Sequence, residues 1–525
     1  MKATDLMVKC LEAEGVDYIF GIPGEENIDL MDSLSRSSIS FVLTRHEQAA
    51  AFMADVYGRL TGKPGVCLAT LGPGATNLIT GVANAQLDRS PLIAITGQAE
   101  RTRLHKESHQ NIDTVQVFKA ITKYDQQVLA AETIPEIVRK AFNLATRENP
   151  GAIHISLPVD TAKEETNGEP PYIGKQAKAA PNKASLREAA TLIAGAKDPI
   201  ILAGNGVIRG RASEELKALV QAGNLPAVHT FMAKGILPFE HELNLFTVGG
   251  QKLPDELRPL LAADLIIAVG FDLVEYDPKA WNSDRSRRIL HIHAAPSETD
   301  EHYPVALEVI GDLRYSLMAL TTYVEQRSES SAHFAIRRRR LQQLQALPSP
   351  PEQLPQKIMQ YLSEQLPPDA ALISDVGLHK LWVSRWYQPK RPGQTIIFNG
   401  LASMGVSLPG AIGARLARPD APVVVVSGDG GFMMNSQELE TAKRLGLAFT
   451  IIVFNDKHLS LIEKHQQDSD LAVTQISFTN PDFALYAQSF GIAHRSARTP
   501  EEFSAALEEA VNSGELNLLE IIHKR

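Results

Sequence analysis

The feature that most constrains the fold is a strand-like run of four valines, Val423–Val426, which leads into Gly428-Asp429-Gly430. A strand that ends in Gly-Asp-Gly carries a carboxylate to the edge of a sheet, where the glycines let a diphosphate approach the backbone. The segment Gln437–Leu445 has helical composition, and we expect its N-terminal N–H groups to face an anion. A second apolar run, Phe449–Phe454, ends at Asn455. One carboxylate and one amide oxygen beside a diphosphate predict a Mg²⁺ site.

Short aliphatic runs alternate with longer amphipathic segments along the chain, which is typical of α/β units with a parallel sheet. Two polar stretches, about 162–185 and 326–356, are interpreted as linkers. We therefore predict an α/β protein of three doubly wound parallel-sheet domains, over residues 1–165, 186–325 and 356–525. The predicted strands are Tyr18–Phe20, Phe41–Leu43, Val66–Ala69, Leu92–Thr96, Ala152–Leu157, Pro199–Ala203, Ala227–His229, Leu265–Val269, Ile289–Ile292, Ala371–Ser374, Val423–Ser427, Phe449–Val453 and Leu518–Ile522.

Composition argues against several classes of function. The chain has 525 residues, of which 44% are apolar and 22% charged, as is usual for a soluble globular protein. Its net charge of −9 argues against a nucleic-acid partner, and we expect the run Arg337–Arg340 to lie on a solvated helix face. Two cysteines, Cys10 and Cys67, suggest a reducing compartment. Without a signal peptide or a membrane-spanning run, the expected location is cytoplasmic.

Glycine-rich turns stand at predicted strand-to-helix junctions of the first domain. Phe20–Asn27, which includes Pro23, is one such turn, and Gly72–Asn77 is another. Between them lies Arg45-His46-Glu47. On composition alone, an acid beside two basic residues is more often a salt-bridged helix start than a catalyst. The neighbouring Ala49–Phe52 could nevertheless supply the dry surroundings in which a carboxylate acts as an acid–base group.

Together, these segments resemble the pyrimidine-binding domain of thiamine diphosphate (ThDP) enzymes, and in particular of the acetolactate synthases. The Gly-Asp-Gly and Asn455 pattern is similar to the metal and diphosphate motif of the same family. The resemblance implies that Glu47 hydrogen-bonds the aminopyrimidine ring and takes part in activating the cofactor, which makes Glu47 the main catalytic candidate. It also implies that three residues of the first-domain turns contact the cofactor, namely Pro23, Gly72 and Asn77.

The last third of the chain resembles the diphosphate-binding domain of this family. The resemblance assigns Mg²⁺ to Asp429, Asn455 and the backbone carbonyl of Lys457. Taken alone, Met404 would be a core residue, but the resemblance makes it the apolar wedge that bends the cofactor. The further residues that the resemblance places at the cofactor are Val376, Gly377, Leu378, His379, Ala402, Gly430 and Gly431.

Two segments resemble the catabolic, FAD-independent acetolactate synthases. His109-Gln110-Asn111-Ile112-Asp113 implies active-site roles for Gln110 and His109. The middle-domain segment Gly270–Asn282 lacks the Arg-Phe-Asp-Asp-Arg pattern of the FAD-dependent enzymes, so we expect no FAD and a middle domain that only packs. His465 stands where biosynthetic synthases have Trp. It could bind a substrate carboxylate or protonate an alkoxide, and a solvent-facing His is about equally compatible with the sequence.

The resemblance implies ThDP- and Mg²⁺-dependent decarboxylation of a 2-oxo acid, with pyruvate as the first candidate, and ligation to a second pyruvate to give 2-acetolactate. Two alternatives stay open. One is a ThDP decarboxylase or lyase that acts on another 2-oxo acid or an acyl-CoA without ligation. The other is a catalytically idle, ThDP-binding regulatory subunit. The resemblance further implies a homodimer as the minimum active unit and a homotetramer as the assembly, without nucleic-acid or membrane partners.

Overall fold

The structure, a computed structural model, describes residues 1–174, 177–249, 254–328 and 331–523. These residues form three six-stranded, entirely parallel sheets, with α-helices between most of the successive strands. The predicted fold class, an α/β protein with three doubly wound parallel sheets, is confirmed. None of the helices in these ranges is long and apolar enough to cross a membrane.

The first sheet has the strand order β2-β1-β3-β4-β6-β5. Its strands are β1 Tyr18–Gly21, β2 Ser40–Leu43, β3 Gly65–Ala69, β4 Leu92–Gln98, β5 Tyr124–Gln127 and β6 Ala152–Pro158. Its helices are α1 Ala3–Ala13, α2 Ile28–Leu34, α3 Glu47–Thr61, α4 Pro73–Leu87, α5 Thr114–Phe118, α6 Ile134–Thr146 and α7 Val159–Ala162.

The second sheet has the order β12-β11-β10-β7-β8-β9. Its strands are β7 Pro199–Ala203, β8 Ala227–His229, β9 Asn244–Thr247, β10 Leu265–Val269, β11 Arg288–His293 and β12 Val305–Ile310. The helices of this part are α8 Lys183–Gly195, α9 Asn205–Arg209, α10 Ser213–Gly223, α11 Pro254–Leu261, α12 Leu313–Thr321 and α13 Ser331–Gln345.

The third sheet has the order β14-β13-β15-β16-β18-β17. Its strands are β13 Ala371–Ser374, β14 Thr395–Ile397, β15 Val423–Gly428, β16 Thr450–Asn455, β17 Ala493–Ala497 and β18 Asn517–Ile522. Its helices are α14 Pro350–Gln365, α15 Leu378–Trp386, α16 Ser407–Ala417, α17 Asp429–Asn435, α18 Glu438–Arg444, α19 Ser460–Asp468, α20 Phe483–Ser489 and α21 Pro500–Asn512.

In each sheet the chain adds strands first on one side and then on the other. The reversal lies between β1 and β3, between β7 and β10, and between β13 and β15. In open α/β sheets, ligands bind at the carboxyl ends of the strands at such a switch point. The fold therefore provides three crevices of the same kind, one in each domain.

Five strands were missed by the sequence pattern, and all five lie at sheet edges: β5, β9, β12, β14 and β17. β5 and β17 are half-polar, and β9 and β14 have only four and three residues. An edge strand pairs on one side only and can be short or polar, so it lacks the aliphatic run that identifies a central strand.

The arginine run lies on α13, but the expectation of a solvated helix face is wrong for Arg340. Its guanidinium is buried and donates to the carbonyls of Thr247 and Glu256 in the middle domain. Arg337 likewise donates to the carbonyl of Glu240. Arg337 and Arg340 thus fasten α13 to the middle domain, whereas Arg338 and Arg339 are exposed, as the sequence predicts.

One apolar core extends from the first domain into the third. Its buried residues come from α3 and α4 on one side and from α16, β13 and β15 on the other. The helices α3 and α16 approach closely because Gly413 faces the backbone of Met53, where a Cβ atom would lie 2.3 Å from the carbonyl oxygen. The first and third domains are thus packed as one unit.

Candidate active site

Asp429 and Asn455 stand at the carboxyl ends of the neighbouring strands β15 and β16. The Asp429 side chain is buried, and burial raises the pKa of its carboxyl group. N–H donors oppose this shift: Oδ1 accepts from the Gly430 backbone at 2.8 Å, and Oδ2 accepts from the Lys457 backbone and from Asn480 Nδ2, both at 2.7 Å. Such bonds favour the ionised carboxylate that a cation requires.

Asn455 is oriented from the opposite side by an acid on β18. Its Nδ2 donates to Glu520 Oε1 at 2.6 Å, so its Oδ1 faces Asn480 Nδ2 at 2.9 Å. The carbonyl of Lys457 accepts the backbone N–H of Phe478 at 3.1 Å and keeps a second lone pair. Asp429, Asn455 and Lys457 are called the metal-site cluster below.

This oxygen-rich arrangement suits Mg²⁺, which prefers carboxylate and carbonyl ligands. In the ranges that the structure describes, no group of three His, Cys, Asp or Glu side chains could hold a metal ion. A metal at Asp429 would therefore depend on amide and backbone oxygens, as the sequence pattern predicts.

The turn after β13 lies next to β15, at the switch point of the third sheet. The imidazole of His379 lies at this turn, close to Gly377 and Gly428. A Cβ atom added to Gly377 would lie 2.8 Å from the ring, and one added to Gly428 would lie 3.2 Å from it. His379 is buried, burial lowers its pKa to about 4, and its Nε2 has no hydrogen-bond partner among the residues that the structure describes. A buried, unpartnered ring nitrogen is unusual, and it fits a phosphate oxygen beside the metal-site cluster.

The helix that begins at Asp429 is α17, and the expectation that the segment Gln437–Leu445 faces the anion is wrong. Only α18, Glu438–Arg444, lies in that segment, and Glu438 at its start faces the first domain. α17 escaped prediction because Gly430 and Gly431 have low helix propensity. Gly431 is required by packing, since a Cβ atom there would lie 2.5 Å from Asp375 Oδ1.

Asp375 holds the segment that contains Met404, and it was missed as a site residue. Its fully buried carboxylate accepts the N–H groups of Val376, Gly405 and Ser407 at 2.8 to 3.0 Å and the Ser407 hydroxyl at 2.7 Å. Met404 thereby lies against α17, where its methyl carbon is 3.6 Å from a Cβ atom built on Gly430. Ala402 adopts a left-handed φ of 53° in the same segment.

In the first domain, Glu47 is the first residue of α3 and its side chain is buried, with 8% of the residue exposed. Its Oε2 accepts Asn77 Nδ2 of α4 at 2.9 Å. Gly72 has a φ of 52°, and a Cβ atom there would lie 2.7 Å from the carbonyl oxygen of Gln110. The structure thus brings together four sequence-predicted residues, called the first-domain cluster below: Glu47, Gly72, Asn77 and Gln110.

The salt-bridged helix start, the alternative interpretation of Glu47, is not observed. His46 caps α3 by accepting the Gln48 N–H on its Nδ1 at 3.0 Å. Among the described residues, Glu47 forms no ion pair with Arg45 or His46, and Asn77 is its hydrogen-bond partner. The Glu47 carboxylate is therefore shielded from solvent and accepts its hydrogen bond from an uncharged donor, the Asn77 amide.

Three other predicted residues are exposed. Pro23 is exposed in the turn after β1. His109 is exposed in the segment after β4, and His465 is exposed on α19. In the part of the chain described, the imidazoles of His109 and His465 make no hydrogen bond.

Glu438 joins the two domains next to Glu47. Its fully buried Oε1 accepts the backbone N–H groups of Arg45 and His46 at 3.0 and 3.1 Å, and its Oε2 accepts the Thr441 hydroxyl at 2.7 Å. Burial raises the pKa of Glu438 to about 7. Glu438 thus fixes the turn that precedes Glu47, although the two are remote in sequence.

The switch-point crevice of the middle domain is filled by the chain itself. Glu275 accepts the Asn205 N–H, at the start of α9, on both carboxylate oxygens at 2.9 and 3.0 Å. Its Oε2 also accepts the Thr230 hydroxyl at 2.5 Å. A Cβ atom on Gly204 would lie 2.5 Å from the Gly270 carbonyl oxygen. The position that an anionic nucleotide takes in such folds is therefore occupied by the side chain of Glu275, whose pKa burial raises to about 8.

Comparison with known protein families gives matches in each part of the chain. Residues 1–117 match the thiamine pyrophosphate enzyme N-terminal TPP binding domain, 186–320 the central domain and 375–521 the C-terminal TPP binding domain. Thiamine pyrophosphate is another name for ThDP. The first and third matches cover the two clusters described above.

Curated relatives match over nearly the full length. A probable acetolactate synthase large subunit of Methanocaldococcus jannaschii is 35% identical over 99% of this chain and 92% of the relative. The acetolactate synthase of Bacillus subtilis is 34% identical over 98% and 91%. The catabolic acetolactate synthase of Raoultella terrigena is 35% identical over 97% and 92%. The chain therefore belongs to the thiamine diphosphate-dependent enzymes and is an acetolactate synthase-like member of that family.

Proposed function

We propose that this protein is a ThDP- and Mg²⁺-dependent carboligase that decarboxylates pyruvate and joins the remaining two-carbon unit to a second pyruvate, giving 2-acetolactate. The observation that carries the proposal is the buried Glu47 carboxylate held by Asn77, in a chain similar to acetolactate synthases from three microbial sources.

The described residues fit the cofactor at both of its ends. The unpartnered Nε2 of His379 and the oxygens of the metal-site cluster suit a diphosphate and Mg²⁺. We assign the metal to Asp429, Asn455 and the Lys457 carbonyl, and the support of the bound ring to Met404. When bound, ThDP supplies the electron sink for decarboxylation of a 2-oxo acid.

The protein's own part in the reaction is proton transfer and exclusion of water. Glu47 has little contact with solvent and lies at the start of α3, where its carboxylate can exchange a proton with a ring nitrogen of the cofactor. The alanines that follow it in α3, Ala49–Ala51, are fully buried, and Glu47 itself is 8% exposed, which supports a carboxylate with little access to water. A partly dehydrated pocket favours loss of CO₂, because charge is neutralised in that step.

We propose that the active unit is a homodimer in which two chains complete each site. Within one chain, no hydrogen bond among the described residues joins the first-domain cluster to the metal-site cluster. Gln48, next to Glu47, accepts a hydrogen bond from Asn435 Nδ2 at the far end of α17. Asn435 lies six positions after Asp429 on this helix, a distance of about 9 Å along the axis. The exposed Leu43, Leu401 and Met434 around these segments suit burial by a second copy. We also propose a tetramer as the larger assembly.

We further propose that the reaction needs no FAD. The support is Glu275, whose side chain fills the middle-domain crevice and already accepts the Asn205 N–H, at the start of α9, that a nucleotide diphosphate would need. We propose that Gln110, which lies beside Gly72, contacts the substrate. We also propose that His109 and His465 face the substrate, in surroundings that the partner chain completes.

The test is a product assay on purified protein with ThDP, Mg²⁺ and pyruvate and without FAD, run beside Glu47→Gln and the exposed control Glu132→Gln. Acetolactate is expected from the wild type and from Glu132→Gln. Glu47→Gln should lose about 100-fold or more of its turnover, the usual worth of a general acid–base group, while it still binds ThDP and metal.

Other products would redirect the assignment. Acetaldehyde without acetolactate would replace the carboligase by a decarboxylase, and unreacted pyruvate would point to another 2-oxo acid or an acyl-CoA. Undiminished turnover in Glu47→Gln would remove Glu47 from the mechanism. A protein that binds ThDP but turns over no 2-oxo acid would support the idle regulatory subunit.

A further inference from the structure

A short segment between α19 and α20, Ile476–Asn480, contacts all three members of the metal-site cluster and is called the clamp segment. The Phe478 N–H donates to the Lys457 carbonyl at 3.1 Å. Asn480 Nδ2 donates to Asp429 Oδ2 at 2.7 Å and to Asn455 Oδ1 at 2.9 Å. The carbonyl of Ile476 accepts the Leu459 N–H at 2.9 Å and ties the segment to the start of α19.

We propose that Asn480 is a positioning residue of the metal site, which sets the spacing of Asp429 and Asn455 by bridging them with its amide. The inference rests on the proposed function, since the Mg²⁺ ion belongs to that proposal. Nothing in the family matches or in the names of the relatives assigns a role to Asn480. It is not a metal ligand in this proposal, because the atom that faces the two oxygens is a nitrogen donor.

The lone pairs of the three ligands allow the bridge and the metal to coexist. Asp429 Oδ2 already accepts two N–H groups, from Lys457 and Asn480, whereas Oδ1 accepts one, from Gly430. Asn455 Oδ1 and the Lys457 carbonyl each accept one. Because an oxygen of these groups offers two lone pairs, one position remains on Asp429 Oδ1, one on Asn455 and one on Lys457.

The orientation of both amides follows from their partners. Glu520 accepts from Asn455 Nδ2 and is itself paired with His494 Nε2 at 3.1 Å, so the NH₂ end of Asn455 is fixed away from the metal. Asn480 must then present its own NH₂ group to two oxygens. Residues that orient metal ligands in this way typically contribute 10- to 100-fold to metal affinity.

If Asn480 competed with the cation instead of positioning its ligands, its removal would change the metal affinity in the opposite direction. If the amide hydrogens of Asn480 took the place of the cation, the ion would have to displace them. Removal of Asn480 would then raise the metal affinity. The sign of the change in affinity therefore distinguishes a positioning residue from a competitor.

The experiment measures Mn²⁺ binding by the electron paramagnetic resonance signal of the free ion, at saturating ThDP, in the full-length protein. The variants are Asn480→Ala and Asn480→Leu, the second of which retains most of the side-chain volume without a donor. The control is Asn167→Ala, at an exposed asparagine without a hydrogen bond to the site. Thermal unfolding of each variant reports whether it is folded.

We expect both Asn480 variants to bind Mn²⁺ about 10-fold or more weakly than the wild type, and Asn167→Ala to bind it unchanged. Unchanged affinity in a folded Asn480 variant would overturn the role of Asn480 and leave the metal site standing. Tighter binding would identify Asn480 as a competitor of the metal ion and would also overturn its positioning role. A wild type that binds no Mn²⁺ with ThDP would overturn the proposed metal site itself, and the positioning role with it.

Discussion

Glu438 belongs to the third domain, yet its side chain accepts hydrogen bonds from the two backbone N–H groups that precede Glu47 in the first domain. Asp375 and Asn480 act in a similar way, the first on the Met404 segment and the second on the metal-site cluster. At the residue scale, the functional groups of the candidate site are therefore held by other acids and amides, of which Glu438 and Asp375 are fully buried and Asn480 is half-buried. A buried acid is costly unless it is hydrogen-bonded, and both oxygens of Glu438 and of Asp375 accept hydrogen bonds.

The raised pKa of Glu438 makes a pH-dependent prediction for Glu438→Gln. Burial raises this pKa from 4.5 to about 7, so the folded state holds a proton that the unfolded state releases between these values. The wild type should therefore lose stability relative to the variant as the pH rises through this window, by up to about 3 kcal/mol.

The measurement for Glu438 is the melting temperature of both proteins from pH 5 to pH 8. The melting temperature of the wild type, relative to that of the variant, should be higher at pH 5 than at pH 8. A difference that does not depend on pH would show that Glu438 is ionised in the folded protein throughout.

At the scale of elements, α3 is the helix on which the site depends, because it begins at Glu47 and packs between α4 and α16. Small residues allow this close approach. A Cβ atom on Gly81 of α4 would lie 2.4 Å from the Ala51 side chain, and one on Gly413 of α16 would lie 2.3 Å from the Met53 carbonyl oxygen. The position of Glu47 thus follows from glycines in two other helices.

Gly413→Ala tests this packing. Alanine favours a helix over glycine by about 1 kcal/mol, but the added methyl group must push α16 away from the backbone of α3. We expect a net destabilisation of about 1–3 kcal/mol and a lower melting temperature. The control is Gly195→Ala in α8, where a Cβ atom meets nothing within 4 Å and stability should stay equal or rise. A Gly413 variant as stable as the wild type would show that α16 can shift freely.

At the scale of the whole molecule, a buried ionic network joins the first and third domains. Arg59 of α3 pairs with Asp55 at 2.7 Å and with Asp88. Asp88 Oδ1 also accepts the N–H groups of Asn399 at 3.2 Å and Gly400 at 2.6 Å, which precede the Met404 segment. The network therefore connects the helix of Glu47 with the loop that approaches the metal-site cluster.

Arg59→Met should remove the cation of this network and destabilise the protein. Two buried carboxylates would lose their cation, which typically costs about 3–5 kcal/mol. Burial already raises the pKa of Asp88, so without Arg59 the Asp88 carboxyl group should take up a proton more readily, and the deficit in melting temperature should shrink as the pH falls from 7 towards 5. Arg36→Met, which breaks exposed ion pairs with Asp5 and Asp32, should cost about 1 kcal/mol or less. Equal effects of the two variants would contradict the importance of the buried network.

The amino-acid sequence by itself determined the central strands and the residues at their ends. Aliphatic runs such as Val423–Val426 identify strands locally, because a strand buried on both faces needs apolar side chains in succession. Parallel strands then bring their carboxyl ends to one edge, so the proximity of Asp429 and Asn455 was predictable, and the family followed from the same motifs.

Only the tertiary structure decided which polar residues support the site. Asn480 and Asp429 are separated by 51 positions, and Glu438 and Arg45 by 393. Such pairs leave no periodic pattern, because one hydrogen bond needs one donor and one acceptor and imposes nothing on the residues between them. The edge strands, the buried Arg340 and the carboxylate in the middle-domain crevice belong to the same class, since each depends on a partner that is remote in the sequence.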